Sequence, residues 1–405
     1  MIKKQVDYKL FFSVLTLVIF WMVMISSVSV YSSFKVTSIM VNNWTIPEAY
    51  NFFYVIRNII HVTVSLIALW IIVKIHYSFF EKYSKYIYYF VISLLVLVLI
   101  MRISLKWARW WISIPWIPFT IQPTEFLKLW LIIYLAAFFK KYKWSLSDFK
   151  NWFVPYIFII WLVLLLVWAQ PDFWTIMVVI PVSVIMFFYA WANKKHLLLF
   201  FLLWALFSLI IYAAWDYDKE TLKNNNSLWY ITQRIDNFLA DNKEAIANKT
   251  INYQTEQALI AIWSWWFNGL WFWQSIQKFW YLPEVQWDFI FSVIVEELWF
   301  IWWLWILLIY LYIWYRWFYI ASKIKDFFWQ LVAVWISSWI LIQAFINIWV
   351  NLNIVPLTWI TLPFISYGWS SMLSLMIGLW ILLNISRYME DKSCYSRLNR
   401  KKFMF

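Results

Sequence analysis

The sequence predicts an all-α fold: a polytopic membrane helix bundle of ten transmembrane helices, forming a single domain over residues 1–405. Two observations lead to this prediction. First, 65% of the 405 residues are apolar and only 13% are charged, which is more apolar surface than a soluble domain can hide in its core. Second, apolar runs of 18 or more residues recur along the chain, and each is long enough to cross a hydrocarbon layer of about 30 Å.

The predicted helices follow from these runs taken in order. The first run is too long for a signal-peptide core and has no small-residue cleavage site, so it is predicted to be an uncleaved span. The fifth and sixth runs are separated only by Gln170-Pro171, which ends one helix and begins the next. The predicted spans are residues 10–31, 52–75, 86–102, 124–139, 152–169, 172–191, 196–214, 288–315, 327–350 and 359–386.

The basic residues predict the orientation of the bundle. With ten spans both termini lie on one side, and placing them in the cytoplasm puts about two thirds of the 33 lysines and arginines on that side, as the positive-inside rule requires. This orientation gives a large extracytoplasmic loop, residues 215–287, and a basic cytoplasmic tail, residues 388–405. The net charge of +13 therefore indicates membrane topology and not a nucleic-acid partner.

Polar residues near the predicted outer face are candidates for chemistry. Lys106 and Arg109 lie in an outward-facing segment, where they either bind a phosphate or are simply solvated. Glu125 and Lys128 follow Gln122-Pro123 at a helix start. Because they are three residues apart they share a helix face, so they form either a structural ion pair or the polar wall of an outward-facing cavity.

Carboxylates at predicted helix starts form a second group. Asp288 begins the eighth span, where it is either a helix cap or a group that takes a proton from a sugar hydroxyl or binds a divalent cation. Asp172 is expected to be a cap. Glu296 and Glu297 lie deeper in the eighth span and require partners or a hydrated cavity. Ser366 belongs to a run of small hydroxyl residues that suits a broken or closely packed helix lining a site.

The counts of tryptophan and glycine are abnormal. The chain has 37 Trp and 3 Gly, whereas a usual share of about 7% corresponds to about 28 glycines. Interfacial aromatic belts enrich tryptophan, but they do not remove glycine. The alternative interpretation is that the source reads the UGA codon as glycine and that this sequence was translated with the standard table.

Eight short blocks resemble the SEDS family (shape, elongation, division and sporulation), which includes FtsW and RodA. The blocks are residues 106–112, 122–129, 170–175, 261–266, 278–284, 288–291, 296–300 and 363–368. The family has glycine where this chain has Trp107, Trp174, Trp263, Trp265, Trp266, Trp271, Trp273, Trp280, Trp299 and Trp369. Trp111 matches a tryptophan of the family. This agreement favours the decoding interpretation.

The resemblance implies a ten-span peptidoglycan glycosyltransferase that joins lipid II units into glycan strands outside the cytoplasmic membrane. It also implies a class B penicillin-binding protein as partner, with other proteins of division or elongation. Residues 274–281 resemble the division member FtsW more than RodA. Asp288 matches the proposed catalytic carboxylate, and Glu125 and Lys128 match a cavity pair. Residues 285–287 depart from the family, which often has a histidine and a threonine before the aspartate.

The predicted site therefore has Asp288 as its catalytic residue. Its predicted substrate-binding residues are Lys106, Arg109, Gln122, Glu125, Lys128, Lys278, Glu284 and Ser366. Asp172, Glu296 and Glu297 stand between structural and functional roles. A divalent cation, Mg²⁺ or Mn²⁺, is a candidate cofactor for the leaving pyrophosphate. The alternative functions are a transporter that flips lipid II, which Glu296 and Glu297 favour, and a scaffold that only recruits the penicillin-binding protein.

Overall fold

The described part of the chain folds as a bundle of α-helices with one very short strand pair. The computed structural model describes residues 6–75, 78–101, 111–113, 120–143, 148–170, 172–190, 195–196, 198–202, 205, 234, 238, 251–264, 269–279, 281–283, 285–387 and 389. The helices, numbered in chain order, are α1 (Tyr8–Val28), α2 (Val30–Asn42), α3 (Phe53–Lys74), α4 (Ser78–Met101), α5 (Pro123–Lys141), α6 (Val154–Ala169), α7 (Phe173–Tyr189), α8 (Ile251–Ser264), α9 (Ile290–Lys323), α10 (Phe327–Asn351) and α11 (Trp369–Ser386). A five-residue π-helix, Phe149–Phe153, leads into α6.

The strand pair is a departure from the all-α prediction. Strand β1 (Ile112–Ser113) pairs antiparallel with β2 (Thr120–Ile121), with Ile112 opposite Ile121. The pair leads directly into α5, which begins at Pro123. Proline suits a first helical turn because the amide that it lacks would have no partner within the helix.

Six helices of the described residues are long and apolar enough to cross a membrane, so this is a multi-pass membrane protein. They are Tyr8–Val28, Ser78–Ile100, Phe149–Ala169, Ile301–Lys323, Phe327–Asn351 and Trp369–Ser386. Helices α3 and α7 contain shorter apolar stretches, Phe53–Ala68 and Trp174–Tyr189. Most of the predicted seventh span lies outside the described residues, as does most of the loop 215–287. The number ten therefore stays a prediction.

Several predicted boundaries are wrong: α4 begins at Ser78 and not at residue 86, and α9 ends at Lys323 and not at residue 315. The first helix ends at Val28, and the chain turns at Ser29 before it continues as α2. The Ser29 hydroxyl donates to the Ile25 carbonyl at 2.6 Å, and such bonding to the preceding turn bends helices. The last span begins at Trp369 and not at residue 359, because the residues before it form turns around Pro363.

Helix α9 is broken at Trp299. This residue has φ 73° and ψ 158°, a region that is essentially restricted to glycine. The break separates a short first part, which carries Glu296 and Glu297, from the apolar part Ile301–Lys323. Beside the break, the Leu270 amide donates to the Glu296 carbonyl at 2.8 Å. The segment of residues 269–279 therefore packs against the short first part of α9.

Helix α10 lies at the centre of the bundle. It contacts α5, α7, α8, α9 and α11, and its side chains are buried along almost its whole length. Polar side chains on such a helix must find partners within the protein. Gln343, Asn347 and Asn351 find them at the candidate site.

Candidate active site

Asp288 lies in a turn of residues 285–289, immediately before α9. The cap position of α9 is Phe289, which makes no side-chain cap. Asp288 lies one residue before it, and its catalytic role stays a prediction. Asp288 is 6% exposed. Its backbone carbonyl accepts a hydrogen bond from each of Asn347 Nδ2 and Asn351 Nδ2, both at 3.0 Å. The backbone position of Asp288 is therefore fixed from α10.

The turn that carries Asp288 also contacts two other parts of the chain. The Gln286 carbonyl accepts from the Tyr367 amide at 2.8 Å, and the Gln286 side chain accepts from the Ser32 hydroxyl of α2 at 3.0 Å. The Trp287 ring meets the Tyr367 ring edge-on, with centroids 5.0 Å apart. These contacts tie the turn to α2 and to the residues that precede α11.

Ser366 lies next to Tyr367, in the segment before α11 that contacts the turn of Asp288. Its hydroxyl accepts a hydrogen bond from the Leu362 amide at 2.7 Å, and the side chain is buried. The hydroxyl thus closes the turn before α11. A substrate contact of Ser366 stays a prediction.

The predicted pairing of Glu125 with Lys128 is confirmed. The Lys128 ammonium lies 2.8 Å from Glu125 Oε1, and both residues are buried. The same ammonium donates to Gln343 Oε1 at 3.1 Å and lies 5.5 Å from the centre of the Trp339 ring. The pair is therefore held by α10, although its role as a cavity wall stays a prediction.

Asp172 is the cap of α7, as the sequence predicts. Its carboxylate accepts from the Thr175 amide at 3.2 Å and from the Thr175 hydroxyl at 2.8 Å. It also lies near Lys128, so it contributes negative charge beside the Glu125–Lys128 pair.

Gln122 is the cap residue of α5, but its side chain makes no capping hydrogen bond. Its backbone amide donates to the Ser370 hydroxyl at 3.0 Å.

Lys278 lies in a buried cluster, and its predicted substrate contact stays a prediction. Its ammonium lies 2.8 Å from Glu297 Oε1, and both side chains are 0% exposed. It also donates to the Ser27 hydroxyl at 2.9 Å and to the Trp273 carbonyl at 2.6 Å. An ammonium has three donors, and these three acceptors use all of them.

Glu296 and Glu297 have partners that the sequence did not reveal. Ser27 donates to both oxygens of Glu297, at 2.7 and 2.9 Å. Glu296 accepts from the Ser275 hydroxyl and from the amides of Ile276 and Gln277, at 3.0 and 3.3 Å. The two carboxylates therefore fasten the segment 269–279 to the first part of α9.

Three predicted site residues, Lys106, Arg109 and Glu284, lie outside the described residues, so their roles stay predictions. Within the part of the chain that the structure describes, no group of three or more His, Cys, Asp or Glu residues could hold a metal ion. A site made of protein ligands alone is therefore not found there.

Comparison with known proteins decides the family. The family model FtsW/RodA/SpoVE, described as a cell cycle protein, matches residues 8–391. Stage V sporulation protein E of Bacillus subtilis is 32% identical over 342 residues, which cover 84% of this chain and 88% of that protein. The chain belongs to the FtsW/RodA/SpoVE family. This membership confirms the SEDS resemblance.

Other members of the family match over nearly the whole chain. The "Probable peptidoglycan glycosyltransferase FtsW" of Bacillus subtilis is 30% identical over 402 residues, covering 98% of this chain and 94% of that one. A solved structure, described as the structural coordination of polymerization and crosslinking by a peptidoglycan synthase complex, has a TM-score of 0.72. It is 23% identical and covers 95% of this chain and 99% of its own. At this identity the likeness shows the fold.

The sequence reasoning missed several residues that line the candidate site of this family member. Gln343, Asn347 and Asn351 contact the Lys128 and Asp288 regions, and their spacing of four in an apolar helix was the signal that could have found them. His61, in α3, is a further residue that no sequence pattern pointed to. Its ring lies 5.3 Å from that of Tyr367, so α3 also contributes to the wall beside Asp288.

Proposed function

We propose that this chain is a peptidoglycan glycosyltransferase that polymerises lipid II at the outer face of the cytoplasmic membrane. The observation that carries the proposal is Asp288 itself, a carboxylate in a turn whose backbone is held by two buried asparagines. A catalytic group must be held in position by its surroundings. Family relatives named peptidoglycan glycosyltransferase FtsW support the reaction class.

In the proposed reaction Asp288 accepts the proton of the acceptor's 4-hydroxyl while that oxygen attacks C1 of the donor sugar. A bond forms between C1 and the acceptor oxygen, and the bond from C1 to the pyrophosphate breaks, so the anomeric centre inverts. Lys106 and Arg109 would bind the leaving pyrophosphate, since cations form strong hydrogen bonds with phosphate oxygens. Gln122, the Glu125–Lys128 pair, Glu284 and Ser366 are proposed to contact the substrates.

A divalent cation, Mg²⁺ or Mn²⁺, fits this site only together with substrate. Mg²⁺ commonly binds through one or two carboxylates and the phosphates of a substrate. Asp288 is the residue that would hold it, and the cation would neutralise charge on the pyrophosphate.

The burial of Glu296 and Glu297 weakens the transporter alternative. These two carboxylates favoured a polar path through the bundle, but their oxygens accept hydrogen bonds from Ser27 and from the segment 269–279. A flippase also needs polar groups along its full depth. The carboxylates are better explained as structural anchors.

The proposed role is in cell division, with a class B penicillin-binding protein as partner that cross-links the glycan product. The FtsW-like segment 274–281 and the relatives named FtsW support division over elongation. The likeness in fold to a chain of a peptidoglycan synthase complex supports a partner. Lipid II and the division proteins are proposed partners on the same grounds.

Backbone conformation supports the proposal that UGA is decoded as glycine. Trp271, Trp273 and Trp299 have φ of 76°, 77° and 73°. Positive φ is uncommon for bulky residues and costs about 1–3 kcal/mol each, whereas glycine adopts it readily. Trp44, with φ of 56° and 95% exposed, follows the end of α2, a position where glycine ends many helices. Trp44 is not among the tryptophans that match glycines of the family.

The gene tests this proposal directly. We expect UGA codons at Trp44, Trp271, Trp273 and Trp299, and a UGG codon at Trp111, which serves as the internal control. Peptides of the native protein should carry glycine at the first four positions by mass spectrometry. UGG codons at the three positive-φ positions near α9 would refute the decoding proposal.

The proposed topology makes a separate prediction. In intact cells an impermeant thiol reagent should not reach Cys394, the one cysteine of the sequence. The reagent should label a cysteine introduced at Asn225, in the loop 215–287, in a Cys394→Ser background. Labelling of Cys394 before lysis would invert the orientation and move the proposed site to the cytoplasm.

A further inference from the structure

Three amide side chains follow one another at four-residue spacing on α10: Gln343, Asn347 and Asn351. Residues with this spacing lie along one face of a helix. They are 0%, 1% and 0% exposed. Burying an amide within an apolar bundle is unfavourable unless each of its polar atoms finds a partner. We call these three residues the amide ladder, and their partners indicate what the ladder does.

One end of the ladder holds the turn of Asp288. The Asp288 carbonyl accepts from Asn347 Nδ2 and Asn351 Nδ2, so both lone pairs of this oxygen are used. Asn351 Oδ1 in turn accepts from the Ser292 hydroxyl at 2.6 Å and from the Ser292 amide at 3.3 Å. Asp288, two residues before α9, and Ser292, in the first turn of α9, are thus both fixed to Asn351.

The other end of the ladder holds Lys128. Gln343 Oε1 accepts from Lys128 Nζ at 3.1 Å and from Trp339 Nε1 at 2.9 Å. Gln343 Nε2 donates to the carbonyl and the hydroxyl of Thr361, at 3.1 and 3.3 Å. Eight residues of helix separate Gln343 from Asn351, a rise of about 12 Å.

The middle of the ladder joins its two ends to the segment before α11. Asn347 Nδ2 donates to the Ile360 carbonyl at 2.7 Å as well as to Asp288. Ile360 is next to Thr361, the partner of Gln343. The amide ladder therefore binds α5, the start of α9 and the segment 357–368 to a single helix face.

We propose that Gln343, Asn347 and Asn351 are positioning residues, which set the location of Asp288 relative to Lys128 for polymerisation. This proposal rests on the proposed function of Asp288. A displacement of about 1 Å at a catalytic group can lower a rate by about 10²-fold. Loss of one of these three amide side chains should therefore slow the catalytic step more than it weakens substrate binding.

The test uses the full-length glycine-decoded protein with its penicillin-binding partner and lipid II. Asn351→Ala is expected to lower kcat about 10–100-fold with a smaller change in KM. Asn384→Ala is the matched control. Asn384 is also a buried asparagine, 5% exposed, whose Nδ2 donates to the Ile75 carbonyl at 3.2 Å. It lies outside the site, so its variant should keep near-parental kcat.

A double-mutant cycle with Asp288→Asn separates positioning from simple stability. If Asn351 acts through Asp288, Asn351→Ala should cause little further loss in the Asp288→Asn background. An equal fractional loss in both backgrounds, or an equal loss in Asn384→Ala, would overturn the proposal. Near-parental activity of Asp288→Asn alone would instead overturn the proposed function.

Folding is monitored by size-exclusion profile and apparent Tm in detergent. If Asn351→Ala does not fold, Asn347→Ala is measured in the same way, since it leaves the Asn351 donor on the Asp288 carbonyl. Failure of both variants to fold, while Asn384→Ala folds, would assign the ladder to stability alone and overturn the positioning role.

Discussion

Asp288→Asn is expected to lower the rate of lipid II polymerisation by about 10²–10⁴-fold, the usual contribution of a general base. The substitution keeps the size of the side chain but removes its negative charge and its ability to accept a proton. The backbone contacts from Asn347 and Asn351 involve only the Asp288 carbonyl, so they survive the change. Folding and partner binding should therefore be unaffected.

Purified glycine-decoded protein with its partner, lipid II and a divalent cation provides the assay. Asp148→Asn is a matched control, because Asp148 also precedes a helix and accepts from the Lys150 amide but lies away from the site residues. Glu125→Gln should be milder or should also damage folding, since it leaves the buried Lys128 without its counter-charge. Near-normal polymerisation by Asp288→Asn would remove this residue from catalysis.

The same assay separates the enzyme from its alternatives. A parent protein that polymerises nothing while lipid II crosses vesicle membranes would be a flippase. A parent protein that does neither, but that restores the activity of its partner, would be a scaffold.

The second large effect is expected at the buried pair of Lys278 and Glu297. Glu297→Gln should lower the free energy of unfolding by about 3–5 kcal/mol, the usual cost of leaving one charge of a buried pair uncompensated. Both side chains are 0% exposed, so water cannot replace the lost carboxylate. The segment 269–279 should detach from α9 first, because Glu297 also binds Ser27 and the Ser275 amide.

Apparent Tm in detergent measures this loss, and protease access to the segment 269–279 locates it. The double variant Lys278→Met/Glu297→Gln should be more stable than Glu297→Gln alone, because it removes the unpaired ammonium. Lys140→Met is the control, since Lys140 pairs with Glu81 and Asp326 but its side chain is 34% exposed. Parental stability of Glu297→Gln would show that the buried pair is not needed to hold the segment 269–279 against α9.

The sequence predicted the features that depend on neighbouring residues. Apolar runs located the helices, because a membrane span must be apolar over its whole length. The pairing of Glu125 with Lys128 followed from their spacing, and the capping role of Asp172 followed from the preceding Gln170-Pro171. Each of these features depends on residues within one or two helical turns of one another, so the sequence alone was enough to predict it.

Contacts between distant parts of the chain could not be predicted. Lys278 and Glu297 belong to different elements, and no sequence pattern joins Ser27 of α1 to either of them. The partner of Asp288 is the face of α10, about 60 residues away, and a single sequence does not give such pairings. The break in α9 had only an indirect signal: tryptophan at position 299 does not itself indicate a helix break, whereas the glycine that the family has there does.

The left-handed residue at position 44 has a consequence for inheritance. If its codon is UGA, a ribosome of an organism with the standard code would release the chain no later than Asn43, when at most α1 and α2 have been made. The gene could then not be adopted by neighbouring species that use the standard code. Viruses adapted to those species would in turn encounter a cell that reads through their UGA stop codons. The positive φ at position 44, which suits glycine, would thus be a structural sign of an altered genetic code that limits the exchange of genes with other species.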